Sequence, residues 1–188
     1  KDSDLVKIKK FLKIPLNLEM APTEEMLKIA IKNKPSFVCI VPEKRKEITT
    51  EGGLNLKKNK NLLKKIIYKL QKRNIRVSLF VEAKITSAII AKKLGANCIE
   101  LHTGKFCNLI NKKEKSSNEF IKIKKTAHHA RLIGLDVHAG HGLNYESTMK
   151  IAKIKDISEF NIGHFLISES IFIGLKNSIK KFKKIINK

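Results

Sequence analysis

Leu135-Asp136-Val137-His138-Ala139-Gly140-His141-Gly142-Leu143 reads as a short strand running into a turn that holds a histidine between two glycines. Alternate residues of a strand point to opposite faces, so Leu135 and Val137 share one face and Asp136 and His138 the other. The design returns at 159–162, where a second strand-like run meets Gly163-His164. Glycine lets a backbone approach a ligand, and exposed N–H groups at a helix start favour an anion. Imidazole is the side chain best suited to moving protons near neutral pH. Two such turns predict a site that handles phosphate and shuttles protons, and so an enzyme.

Outward from this stretch the chain alternates. Hydrophobic patterning predicts strands at 14–20, 36–41, 76–81, 97–102, 135–139 and 159–162. Helices are predicted from the first residues to about 12, then at 23–34, 57–73, 86–94, 117–133, 145–154 and 175–187. Strand then helix, six times over, is the pattern of a parallel sheet made of βαβ units. The parity recurs as well. Leu16, Leu18 and Met20 oppose Asn17 and Glu19, and Val77, Leu79 and Val81 oppose Arg76, Ser78 and Phe80. Ile99 and Leu101 oppose Cys98, Glu100 and His102, while Phe160 and Ile162 oppose Asn161 and Gly163. A parallel sheet covered on both faces reads apolar throughout. Here one face is polar strand after strand, which favours a (β/α) barrel with helices outside and a polar interior that is wet or used. A layered sheet with a few satisfied polar side chains is the competing arrangement.

A chain of 188 residues with 42% hydrophobic content supports one well-filled core and hence a single domain. No apolar run is as long as a membrane span and no secretory pattern opens the chain, so the expected location is the cytoplasm, with no membrane partner. Cys39, Cys98 and Cys107 show no familiar spacing; Cys39 and Cys98 sit in apolar runs, where cysteine behaves as a small hydrophobe. The net charge of +23 admits a nucleic-acid binder. Yet of 40 basic residues only Arg45, Arg73, Arg76 and Arg131 are arginine, and lysines are spread along every helix. The expectation is a solvated surface, no nucleic-acid partner, and a basic field compatible with phosphorylated substrates.

Barrel active sites lie at the C-terminal ends of the strands. Glu19, the loop 42–50, Glu82, Glu100 with His102, His141 and His164 all fall there. Carboxylates and imidazoles on one mouth suit acid/base chemistry on a carbonyl or imine. Gly140, Gly142 and Gly163, with the helices after them, suit phosphate. His138 lies before its strand end and reads as a structural hydrogen-bonding group, and His128 and His129 read as surface residues. No zinc spacing, P-loop or GxGxxG occurs, so neither metal nor nucleotide is expected. No one lysine stands out as a Schiff-base candidate.

Seven motifs then occur in a specific order. They are Asn17-Leu18-Glu19-Met20-Ala21, Val41-Pro42-Glu43-Lys44-Arg45, Thr49-Thr50-Glu51-Gly52-Gly53-Leu54, Val77-Ser78-Leu79-Phe80, Ile99-Glu100-Leu101-His102-Thr103-Gly104, Ala139-Gly140-His141-Gly142-Leu143 and Asn161-Ile162-Gly163-His164. In these the chain resembles the pyridoxine 5′-phosphate synthases over essentially its whole length. The resemblance implies a (β/α)8 TIM barrel of vitamin B6 biosynthesis, incomplete here with six of eight strands. It implies condensation of 1-deoxy-D-xylulose 5-phosphate with 3-amino-2-oxopropyl phosphate to pyridoxine 5′-phosphate, phosphate and water. No metal or organic cofactor is implied, and the assembly is a homo-octamer.

Carried over by motif, Glu19 is the expected general base, His141 the general acid and Glu100 the carboxylate that stabilises charged intermediates. Thr49 matches a contact to the deoxyxylulose phosphate, and Gly142, Gly163 and His164 match the grip on the aminoacetone phosphate. The family also carries, before the point matching Lys1, a strand, helix and strand that supply a histidine and phosphate-binding arginines. The chain as given is therefore expected to leave strands 14–20 and 159–162 as unpaired edges and to be inactive by itself. Two other readings stay open on the residues: another phosphate-binding barrel enzyme, such as an aldolase or triose-type isomerase, and a basic nucleic-acid-binding protein.

Overall fold

The computed structural model describes residues 2–42, 52–58 and 60–187. Its strands are β1 (Asn17–Met20), β2 (Phe37–Ile40), β3 (Arg76–Val81), β4 (Cys98–His102), β5 (Asp136–Gly140) and β6 (Glu159–Asn161). The helices among the described residues are α1 (Asp2–Phe11), α2 (Glu24–Asn33), α3 (Lys60–Gln71), α4 (Ile85–Leu94), α5 (Gly104–Asn111), α6 (Ser117–Leu132), α7 (Tyr145–Ile151), α8 (His164–Ile173) and α9 (Leu175–Ile186). The strand order is β1-β2-β3-β4-β5-β6, with β1 and β6 at its ends. A doubly wound sheet reverses its order part-way. This one does not, and an uninterrupted order with a helix after every strand is that of a (β/α)8 barrel, present over six strands. The layered alternative is set aside.

The chain divides into two units: Lys1–Glu82 with Thr86–Glu100, and Ala83–Ile85 with Leu101–Lys188. In the first, β1 pairs parallel with β2 and β2 with β3, placing Glu19 beside Cys39 and Cys39 beside Ser78. Thr23 starts α2 by accepting a hydrogen bond from the Met26 backbone N–H at 3.2 Å, which satisfies an N–H the helix itself leaves over. In α3 the buried residues are Leu63, Ile66, Ile67 and Leu70, the i, i+3, i+4, i+7 stripe of a helix with one covered face. That stripe packs toward β3, where Val77, Leu79 and Val81 are fully buried. Burial of each such side chain is worth about 1.5–3 kcal/mol.

In the second unit β5 pairs parallel with β6, with His138 opposite Glu159 and Gly140 opposite Asn161. Buried Phe106, Cys107 and Ile110 of α5 and Ile123, Ala127 and Ala130 of α6 fill its interior. An aromatic cluster holds the last helices: Tyr145 lies 5.0 Å from Phe165 and 4.6 Å from Phe182, centroid to centroid. Asn144 and Ser147 form a reciprocal capping box on α7, each side chain accepting the other's backbone N–H at 2.8 and 2.9 Å.

Several expected boundaries move. β1 begins at Asn17, not 14, because Pro15 has no N–H to give a ladder. α3 begins at Lys60 because a turn comes first, with Asn55 Oδ1 accepting from the Lys58 N–H. Two helices were not expected, α5 and α8. Gly104 sits at the first position of α5 and masks it as loop. The sequence of α8 is apolar nearly all round, so it shows no one-sided periodicity to read.

Candidate active site

In the first unit the polar face of the sheet is a connected group. The Cys39 thiol donates to Glu100 Oε2 at 3.3 Å, and both side chains are buried. Burial, followed by the Glu100 carboxylate and more weakly that of Glu19, pushes the Cys39 thiol well above its ordinary range. Cys39 therefore keeps its proton and serves Glu100 as a donor. Cysteine read as a small hydrophobe describes its burial but misses this bond. Glu19, on the same register row, is exposed at the end of β1. One carboxylate is thus buried and hydrogen-bonded and the other is open to solvent, the kind of environmental split that gives two carboxyl groups different roles.

Also in the first unit, Gly53 donates its N–H to Glu82 Oε1 at 2.9 Å, and the next residue, Leu54, donates to the Phe80 carbonyl at 2.8 Å. A Cβ on Gly53 would lie 2.5 Å from the Glu82 nitrogen and 2.6 Å from the Val81 carbonyl carbon. Those atoms are backbone and cannot yield, so this position requires glycine. Thr49 lies outside the described residues.

The second unit carries the histidine turn. Gly140 belongs to β5, and the left-handed backbone begins at His141 (φ 76°) and continues at Gly142 (φ 79°). A histidine in that region carries strain of about 1–3 kcal/mol and persists only where its surroundings hold it. Here Thr103 holds it. Its hydroxyl lies 2.7 Å from the His141 carbonyl and 2.8 Å from the Gly140 carbonyl, and its N–H donates to Gly140 at 2.9 Å. Because the hydroxyl is turned to this task, Thr103 does not cap α5 with its side chain.

The half-buried His141 ring faces that of His102, with centroids 4.8 Å apart and planes inclined at 56°. Burial first, and the neighbouring His102 second, hold His141 below the ordinary imidazole value. Gly104 lies against both rings: a Cβ there would sit 2.6 Å from His102 Nε2 and 2.8 Å from His141 Cδ2. Gly142 packs on α5, its missing Cβ leaving 3.2 Å to that of Cys107. Sequence reasoning counted His102 among the acid/base groups at the strand ends without a role of its own, and gave Thr103 and Gly104 none. The Thr103-Gly104 pair directly after a strand was the available signal.

Gly163 and His164 start α8 beyond the end of β6, and both are exposed. Parallel pairing of Gly140 with Asn161 sends the two glycine-histidine turns out of the same end of neighbouring strands. His138 is buried, with Nδ1 3.3 Å from Glu159 Oε1. His128 is exposed beside Asp156, but His129 is half-buried rather than a surface residue.

Residues 1–188 match the family model described as "Pyridoxal phosphate biosynthesis protein PdxJ". The chain belongs to the PdxJ family. It is 55% identical over 188 residues to the pyridoxine 5′-phosphate synthase of Pelagibacter ubique, covering all of this chain and 79% of that protein. It is 50% identical over 186 residues to that of Zymomonas mobilis, covering 99% and 72%. The synthase of Ehrlichia canis is 50% identical over 185 residues, covering 98% and 76%. The resemblance carried by the seven motifs therefore holds, and the PdxJ chain is an enzyme of pyridoxine biosynthesis by family.

Proposed function

We propose that this PdxJ chain is a pyridoxine 5′-phosphate synthase, condensing 1-deoxy-D-xylulose 5-phosphate with 3-amino-2-oxopropyl phosphate and releasing phosphate and water. The observation that carries the reading is the His141 turn, in which a half-buried imidazole sits in left-handed backbone at a strand end and is held below the ordinary imidazole value by burial and by His102. An imidazole with a value held low is a stronger acid once protonated, which suits a group that must hand a proton to a leaving oxygen.

In this reading the amine and ketone join as an imine, protons move, phosphate leaves and an aldol-type closure makes the ring. Glu19, open to solvent, takes protons as general base. His141 gives them as general acid. Glu100, buried and hydrogen-bonded, stabilises positive charge on the nitrogen intermediates. Thr49 contacts the deoxyxylulose phosphate, while the Gly142 backbone, Gly163 and His164 hold the aminoacetone phosphate. The reaction uses no metal or organic cofactor, and the enzyme works as a homo-octamer in the cytoplasm without nucleic-acid or membrane partners.

The test is direct. Protein expressed from its whole coding frame is incubated with both phosphorylated substrates, and ring product and released phosphate are followed together. Equal amounts of the two are expected after chelation of metals. Phosphate release without pyridoxine 5′-phosphate would point to another phosphate-handling barrel enzyme and reject the synthase reading. Light scattering on the same preparation checks the octamer.

A further inference from the structure

Two features of the second unit bear on His141 and are not used by the roles above. His102, at the end of β4, brings its ring to 4.8 Å from that of His141, and the Nε2 atom of His102 is shielded from solvent. Gly104, the first residue of α5, closes against both rings so tightly that a single added carbon would overlap each of them. Gly104 is also buried, so a carbon added there could be accommodated only by the two rings moving apart. The backbone of the turn is fixed separately by Thr103. Thr103 therefore sets where His141 starts, and the packing of His102 over Gly104 sets where its ring ends.

We propose that His102 is a positioning residue for His141: the two imidazoles are seated against each other over Gly104 and act as one pair that carries a single proton at a time. Like charges at this separation oppose one another, so the second proton enters only at distinctly lower pH and the pair titrates in two steps. The titratable groups that face His141 in the second unit are His102 from β4 and Cys107 from α5, whose Sγ lies 3.8 Å from the His141 carbonyl. Burial pushes the Cys107 thiol up, so it stays neutral and leaves His102 as the coupled charge. A single shared proton suits a group that must be neutral when substrate arrives and acidic when phosphate leaves. This inference rests on the synthase reading only for its kinetic consequence.

The test is a pH titration of the ring resonances of His102 and His141 in the whole protein, assigned by comparison with H102N and H141N. In the wild-type protein the pair is expected to titrate in two steps. In H102N, His141 should titrate in one step, with its acid-side midpoint raised by about 0.6 to 2.5 pH units, the span for like charges at this distance between water-like and protein-like screening. The G104A variant keeps both imidazoles and wedges them apart, and should also convert His141 to a single step. It guards against H102N acting through misfolding. Identical His141 curves in wild type, H102N and G104A would overturn the pairing.

The kinetic arm follows kcat against pH with both phosphorylated substrates. H102N is expected to lower kcat by about 100-fold, with KM for either substrate little changed. The acid limb should move in step with the ring titration. A limb that stays in place while the wild type turns over would reject the pair, whereas coupled titration in a protein that makes no ring product would reject the synthase reading and leave the pair standing.

Discussion

Cys39 shows how much one side chain can decide. Its thiol is a weak donor, yet it is aimed at a buried carboxylate, where an unmet acceptor is costly. C39A should destabilise the protein by about 1 kcal/mol and raise the titration midpoint of Glu100, while C39S should restore the latter; an unmoved carboxyl resonance in C39A would refute the bond. Its folded-state value is raised, so its stabilising effect is complete below the ordinary thiol range and is lost as pH rises through it. Urea midpoints should thus fall less steeply above about pH 8.5 in C39A than in the wild type. His141 behaves in the opposite sense. Its value is lowered, so the unfolded chain binds more protons and stability drops as pH falls below about 6.5. H141N tolerates the left-handed backbone and should flatten that drop while costing about 100- to 10,000-fold in kcat, measured by product formation. Near-native turnover by H141N would remove His141 from the chemistry.

At the scale of elements, the strands and helices with a one-sided pattern were the legible ones. β3 appears at the residues expected of it, because Val77, Leu79 and Val81 alternate with Arg76, Ser78 and Phe80 over six β-favouring positions. α3 kept its buried stripe even though its start moved. L63A should cost about 2–5 kcal/mol in urea denaturation, since Leu63 is fully buried in that stripe. The α7 capping box gives a smaller effect: N144A should cost about 1 kcal/mol, and an unchanged midpoint would mean that the bond from the Ser147 N–H to the Asn144 side chain contributes nothing. What stayed illegible was contact made across the sequence. Thr103 spends its hydroxyl on two carbonyls more than thirty residues away, partners that the Thr103-Gly104 pair by itself does not identify. The apolar surround of α8 likewise hides its helical period, and Ile171 and Phe172 remain exposed on it.

At the scale of the molecule, the sequence marked out candidate residues along the chain but not their contacts. Glu19 and Glu100 lie on the polar parity of β1 and β4, and His141 and Gly142 directly follow β5, the strands read around them. The Cys39–Glu100 bond and the His102–Gly104–His141 packing leave no mark in the sequence, since each joins residues on different elements. The +23 charge, dispersed over lysines, should yield only weak, sequence-blind binding to DNA, lost between about 50 and about 200 mM salt. Tight binding that survives that range would demand a nucleic-acid function.

The burial of all three cysteines has a practical result. Cys39 and Cys98 lie in the first unit and Cys107 in the second. A thiol-reactive dye added to the native protein can reach none of them until the surrounding structure opens. Labelling rates, resolved by mass spectrometry of the separate peptides, would then clock the opening of each unit independently, with no engineered probe.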